Sequence, residues 1–330
     1  LKSLDEIVRV LHNFDGISRK YVLPQIITRI REESYKGGLP DSLGEDCAVI
    51  EIEKDEVVLI TTDSIVEELC LNHPRAAGFN VVLANAMDIY AAGGVPTTIS
   101  IAVSYSEPKV GDMLFRGLIE GSQKFRIPIV RGHTNPRSKF TYVVGSATGR
   151  VRKRDVLSAG GAKSGDLIAL VFDKTGRRGS SYPLGWDSVV ERESEVVLRR
   201  LSTMNELARQ HLVNASKDVS VAGLVGTAGM LLEYSGKGGA IDLNEVERAC
   251  PSSVEFEDWI RMYISLGFLL TISPNSASRV AGIASEHGMT SEAIGSVDDS
   301  RALRLKRGSD EQVLFDFSKA PVLTPRSSER

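Results

Sequence analysis

The chain has 330 residues, 42% of them hydrophobic and 25% charged, and a formal net charge of −3, which allows two domains of ordinary size, each with its own core. The slightly acidic balance excludes a general drive toward nucleic acid or anionic membrane, and no apolar run approaches the ~20 residues of a membrane span. Three widely spaced cysteines, Cys47, Cys70 and Cys250, form no CxxC or Cys/His zinc pattern, which reads as a reduced, cytoplasmic protein.

Residues 1–14 predict an amphipathic helix with Asp5 and Glu6 in its first turn, without the basic start and long apolar run of a signal peptide. Residues 47–52 and 57–62 predict two strands joined as a hairpin through 53–56. A helix is expected from Pro74 to about Ala92, ended by Gly93-Gly94. A strand at 97–104, a helix at 110–125 and strands at 127–130 and 140–149 follow. This order predicts an α+β layer, one sheet covered on one face by helices. The basic run Arg150-Val151-Arg152-Lys153-Arg154 reads as a solvated face near a domain junction. The small-residue stretch 158–166 leads into a strand at 167–172, so the boundary is expected near Val151, giving domains 1–150 and 151–330. The second half predicts strands at 240–243, 267–272, 293–297 and 302–306, and helices at about 188–211, 222–234 and 276–287. A polar tail from Pro321 is expected to fray.

Four acidic clusters lie among small or turn-forming residues: Gly44-Glu45-Asp46-Cys47, Thr61-Thr62-Asp63-Ser64, Asn85-Ala86-Met87-Asp88 and Asp218-Val219-Ser220. Alone, each Asp is as readily a turn residue or a helix cap. Together, at the ends of predicted strands and helices, they point to carboxylates gathered around Mg²⁺, which takes oxygen ligands from carboxylates and phosphates. Turn amides around Gly44 and Asp46 can form an anion nest where the loop enters the sheet. Asp88 stands apart because its helix is apolar on most sides, so its carboxylate needs a cation or good hydrogen bonds. Asn85 lies on the same face of that helix. His133 follows a predicted strand and is open to a structural or a site role. Lys163 lies in Gly-Ala-Lys-Ser-Gly-Asp, whose spacing fails the P-loop pattern and which enters a strand rather than a helix. Asp218 precedes a helix bearing Gly223, Gly226 and Gly229, a start suited to phosphate. Trp186-Asp187 reads either as core or as a substrate contact.

In this order the motifs resemble those of the superfamily of aminoimidazole ribonucleotide (AIR) synthetase, thiamine-monophosphate kinase, selenophosphate synthetase and the hydrogenase-maturation protein HypE. Gly44-Glu45-Asp46-Cys47-Ala48-Val49 is similar to its G-D-D-A-A-V loop, Thr61-Thr62-Asp63 to its T-T-D strand end, and residues 85–96 to its N-x-x-D-x-x-A-M-G-x-x-P helix. Gly161-Ala162-Lys163-Ser164-Gly165-Asp166 is similar to its G-A-K-P-G-D loop, and Asp218-Val219-Ser220 to its D-x-[ST] motif. Within the superfamily, Gly132-His133-Thr134, Lys217-Asp218-Val219-Ser220 and Pro183-Leu184-Gly185-Trp186-Asp187 most resemble the AIR-synthase-related subgroup.

The resemblance implies a two-domain PurM-like fold whose α+β amino-terminal domain forms a homodimer by closing a β-barrel across two subunits, with ATP in the cleft beside an α+β carboxy-terminal domain. It implies Mg²⁺ ligands at Asp46, Asp63, Asp88 and Asp218, and nucleotide contacts at Gly44, Glu45, Asp46, Thr62, Asn85 and Thr134. Lys20, Lys163 or His133 would neutralise charge or move a proton. The implied chemistry is ATP-driven phosphoryl transfer to, or activation of, a small-molecule substrate, which needs mostly positioning and charge neutralisation. Two acids of the family pattern are replaced, by His133 and by Val221, and imidazole is a poorer partner for Mg²⁺ than carboxylate. These departures leave open a nucleotide-binding regulatory or assembly protein with little turnover.

Overall fold

The computed structural model describes residues 2–35, 41–52 and 54–326. Glu53 of the predicted hairpin and the last four residues of the tail lie outside them. The helices are α1 (Leu4–His12), α2 (Asp15–Ser18), α3 (Leu23–Glu33), α4 (Glu67–Asn72), α5 (Pro74–Ala91), α6 (Pro108–Phe125), α7 (Ser194–Arg209), α8 (Gly223–Tyr234), α9 (Leu243–Ala249), α10 (Phe256–Trp259) and α11 (Ala277–Glu286). The strands of the first half are β1 (Ala48–Glu51), β2 (Glu56–Ser64), β3 (Val95–Tyr105), β4 (Ile129–Pro136) and β5 (Tyr142–Arg152). Those of the second half are β6 (Leu167–Phe172), β7 (Arg177–Arg178), β8 (Gly185–Asp187), β9 (Ala215–Asp218), β10 (Gly238–Asp242), β11 (Tyr263–Ile264), β12 (Gly267–Ile272), β13 (Thr290–Asp298), β14 (Ala302–Arg307) and β15 (Asp310–Asp316).

The first sheet runs β1-β2-β5-β3-β4. Its strands alternate: Val57, Leu59 and Thr61 are buried toward α5, while Val58, Ile60 and Thr62 between them face the other way. The sheet is open, and the predicted barrel is not closed within the chain. α5 is buried almost all round, because the sheet and α6 cover one side and the second half covers the other. Its contact with α6 is backbone-close. A Cβ on Gly78 would lie 2.0 Å from the Leu114 carbonyl oxygen, and one on Gly117 would lie 1.9 Å from that of Arg75.

The second sheet runs β15-β14-β10-β13-β6-β12-β9, with a small sheet β11-β8-β7 beside it. β6 is buried on both faces: Ile168, Leu170 and Phe172 join one core with α8 and α9, and Ala169 and Val171 join another with α5, α7 and α11. The second of these cores is continuous across the two halves. α1 and α2 pack on the second half, where Ile7, Leu11 and Ile17 enter its core. α1 opens with a reciprocal capping box between Ser3 and Glu6.

Three expectations change. β4 continues to Pro136, so Arg131–Asn135 lie within a strand and not beyond its end. The helix expected from 188 begins at Ser194. The tail is not frayed as far as Arg326. The buried Glu233 carboxylate accepts the amides of Val322, Leu323 and Thr324 at 2.6–2.7 Å, and Leu323 and Thr324 are buried. Among the described residues, no helix is long and apolar enough to cross a membrane.

The close α5–α6 crossing predicts that Gly78→Ala lowers unfolding free energy by about 1–3 kcal/mol through overpacking, despite the better helix propensity of Ala. A denaturant midpoint equal to that of the wild type would contradict the close contact.

Candidate active site

Four elements deliver aspartates to one place. The pleat of β2 turns Thr61 and Asp63 toward α5, whose last turns carry Asp88. The loop before β1 brings Asp46, and β9, an edge strand in contact with α5, ends on Asp218. Single carboxylate oxygens of Asp46, Asp88 and Asp218 all lie within 4.8 Å of one another. Thr61 Oγ1 donates to Asp88 Oδ2. Asp63 packs against Asp88, and its Oδ2 is buried without a hydrogen-bond partner. Lys217 Nζ donates to Asp46 Oδ1, and Lys20 faces Asp218 and Asp63.

Burial and mutual repulsion set the protonation of this cluster. Burial first, then the charges of Asp63, Asp218 and Asp46, push Asp88 well above the usual carboxylate range. Burial and then Asp46 push Asp218 up to about 8. Burial also raises Asp63. Burial alone would lower Lys217, but the charge and hydrogen bond of Asp46 outweigh it and hold the ammonium charged. Lys20 is lowered, by burial and then by Lys217. The thiol of Cys47 is pushed up by burial and by the neighbouring aspartates, which leaves it a neutral neighbour.

The other expected residues part company. Gly44 has φ +103°, and a Cβ there would lie 2.9 Å from the Tyr234 ring, so the loop before Asp46 requires glycine. The Glu45 carboxylate turns to the second half, accepting Ser158 Oγ and the Ala159 amide. Asn85 is fully buried and joins helix to sheet: its Nδ2 donates to the Val81 carbonyl and its Oδ1 accepts the Ala147 amide. Both side chains, expected as nucleotide contacts, thus bond to the chain itself. Thr62 lies on the opposite face of the sheet from Asp63, where its Oγ1 donates to Ser146 Oγ. His133 is exposed on that same face: it pairs in register with Ala102, Val144 and Ser64, while Gly132 pairs in the row of Ile101, Gly145 and Asp63. Within one chain the sheet thus separates His133 from the carboxylates. Thr134 is exposed on the same edge strand, and Lys163 is exposed, its amide donating to Asp166 Oδ2.

Sequence reasoning gave no role to Lys217 or Tyr263. A strand of small and polar residues, Ala215-Ser216-Lys217-Asp218, carries no apolar alternation, so its burial was invisible. Tyr263 links the cluster to a cavity of about 870 Å³ between the halves, lined also by Asn80, Tyr182, Trp186, Asp187 and Ser265. Its hydroxyl is raised by burial and then by Asp218, Asp63 and Asp88. Trp186 is packed in the core, its Nε1 donating to the Asp173 carbonyl, and it still borders the cavity.

The donor set fits a hard cation. Its three converging donors are carboxylate oxygens, with the buried, unpartnered oxygen of Asp63 beside them, and this suits Mg²⁺ rather than a soft metal. Without a cation, these carboxyls bind protons more tightly folded than unfolded, so their contribution to stability falls as pH rises from about 4 toward about 8. Mg²⁺ should offset that loss. The rise in melting temperature with Mg²⁺ is expected to be about twofold or more larger at about pH 9 than at about pH 6. An equal rise at both, or none, would contradict a cation site here.

Two family models match the chain: "AIR synthase related protein, N-terminal domain" over residues 44–151 and "AIR synthase related protein, C-terminal domain" over residues 163–308. The uncharacterized protein MJ0640 of Methanocaldococcus jannaschii is 31% identical over 319 residues, 96% of this chain and 98% of that protein. A thiamine-monophosphate kinase of Buchnera aphidicola is 28% identical over 224 residues, 62% of this chain and 66% of the kinase. Among solved structures, Thermotoga maritima PurL complexed with ATP superposes with a TM-score of 0.71 at 18% identity, covering 98% of this chain. The chain spans 56% of that protein's length, about half. The two family matches follow one another along a two-domain α+β fold, and the chain belongs to the AIR synthase related family.

Proposed function

We propose that the chain binds ATP as its Mg²⁺ complex at the aspartate cluster and uses it to phosphorylate or activate a small polar molecule held in the interdomain cavity. The observation that carries this reading is the convergence of Asp46, Asp88 and Asp218 on one point beside the unpartnered oxygen of Asp63. Kinship with a thiamine-monophosphate kinase, and a shared fold with a PurL complexed with ATP, support an ATP-using activity.

In this reading Asp46, Asp63, Asp88 and Asp218 hold Mg²⁺, which would neutralise charge on the phosphates. Thr61 fixes the Asp88 carboxylate by its hydrogen bond. The Gly44 loop, whose left-handed turn requires glycine, brings its backbone and Asp46 toward the phosphates. Lys20, whose Nζ has no hydrogen-bonded partner among the described residues, supplies a positive charge beside Asp218 and Asp63. Tyr263 stands between cluster and cavity, where its hydroxyl can orient an acceptor. The cavity's Arg75 is paired with Glu120, and Lys124 donates to the carbonyls of Val190 and Arg192. The polar groups left for an acceptor include the Asn80 amide and the Tyr182 hydroxyl, with His73 and Asp187 also on the wall. A homodimer is part of the proposal: the uncovered face of the first sheet, bearing Thr62 and His133, is the surface on which a second copy would close a barrel.

Asp88→Asn keeps the hydrogen bond to Thr61 but removes the charge. It is expected to weaken Mg²⁺-dependent binding of a non-hydrolysable ATP analogue by at least about 10-fold, read by calorimetry; unchanged affinity would remove the metal role of Asp88. Wild type incubated with ATP and Mg²⁺ is expected to release ADP steadily with at least one member of a panel of small hydroxylated metabolites. Tight nucleotide binding with ATP intact across the panel would favour the regulatory alternative.

A further inference from the structure

Lys217 is an unusual occupant of an acidic cluster. Its side chain is 4% exposed, and its ammonium donates to Asp46 Oδ1. Lysine is rarely buried, and a buried ammonium is tolerated only where it is paired. Its place follows from β9, which hydrogen-bonds to β12 on one side and is buried along its whole length. Lys217 therefore cannot swing out to water as a surface lysine does.

Asp46, Asp63, Asp88 and Asp218 carry four negative charges when ionised, and Lys217 and Lys20 carry two positive ones. Glu45 beside them adds another negative charge, so the ionised cluster keeps an excess of negative charge that a divalent ion would relieve. An ammonium a few ångströms from that ion, in a poorly screened interior, repels it.

We propose that Lys217 is a resident cation of the cluster: it holds Asp46 in place through Oδ1, takes up one carboxylate charge, and restricts the aspartates to a single tightly bound divalent ion. The inference rests on the metal reading above. It makes Lys217 a positioning residue whose removal strengthens metal binding, the opposite of what loss of a ligand or of a phosphate contact would do.

The test is a titration of the nucleotide-free chain with Mn²⁺, followed by the electron paramagnetic resonance signal of the free ion. Wild type is expected to bind one Mn²⁺ tightly. Lys217→Met should bind Mn²⁺ at least about 10-fold more tightly or take up a second ion, and Lys217→Arg, which keeps the charge, should stay within about 3-fold of wild type. Weaker or unchanged Mn²⁺ binding by a folded Lys217→Met, checked by circular dichroism, overturns the proposal. If that variant is unstable alone, Mn²⁺ should raise its melting temperature more than that of wild type, and a smaller rise overturns the proposal equally. Failure of wild type itself to bind Mn²⁺ would overturn the metal reading along with it, so the two failures are distinguishable.

Discussion

Repulsion among aspartates held where the two halves meet is the constraint on which the rest of this molecule turns. Three carboxylate oxygens lie within 4.8 Å of one another, with a fourth aspartate beside them. Such a group is unfavourable in a low-dielectric interior unless cations or protons relieve it. The chain supplies part of that relief through Lys217, Lys20 and the Thr61 hydroxyl. It also supplies the stiffness that keeps the acids together: α5 is wedged between sheet and second half, and its crossing with α6 is close enough to require Gly78 and Gly117. The tension left in the cluster is what the proposed metal-bound polyphosphate would relieve.

The same wedge ties site to fold. Asn85, a turn before Asp88, spends both ends of its amide on the Val81 carbonyl and the Ala147 amide, and so fixes the rotation of α5 against β5. Glu45, next to Asp46, reaches Ser158 and Ala159 across the junction. Asn205 on α7 donates to the carbonyls of Gly93 and Gly94 just past the end of α5. The Glu45 and Asn205 bonds cross the junction, so the carboxylates are positioned by the joined halves. The departures from the family's acids fall elsewhere. His133 stands on the opposite face of the first sheet from Asp63, and Val221 lies partly exposed in the loop between β9 and α8.

Much of this arrangement was legible in the sequence where local pattern and tertiary role agree. The β-rich run of β2 brought Asp63 to a strand end, the apolar girth of α5 marked Asp88 as an acid in need of partners, and Pro74 and Gly93 bounded that helix. What escaped notice depended on partners far along the chain. Arg131–Asn135 reads as lying past a strand end because it lacks apolar alternation, yet it continues that strand at the sheet edge, held by β3. Lys217 carries no local sign of its burial, because nothing near it in the sequence reveals that β12 and α5 bury β9. The polar composition after Pro321 suggests fraying, and only the buried Glu233 carboxylate explains why that segment is ordered.

The most direct measurement is anomalous scattering from crystals of the chain grown with Mn²⁺ and a non-hydrolysable ATP analogue. The account predicts a manganese peak among Asp46, Asp63, Asp88 and Asp218, in contact with phosphate oxygens and at the distances of oxygen ligation. A nucleotide seated elsewhere, or a peak that none of these carboxylates touches, would contradict it.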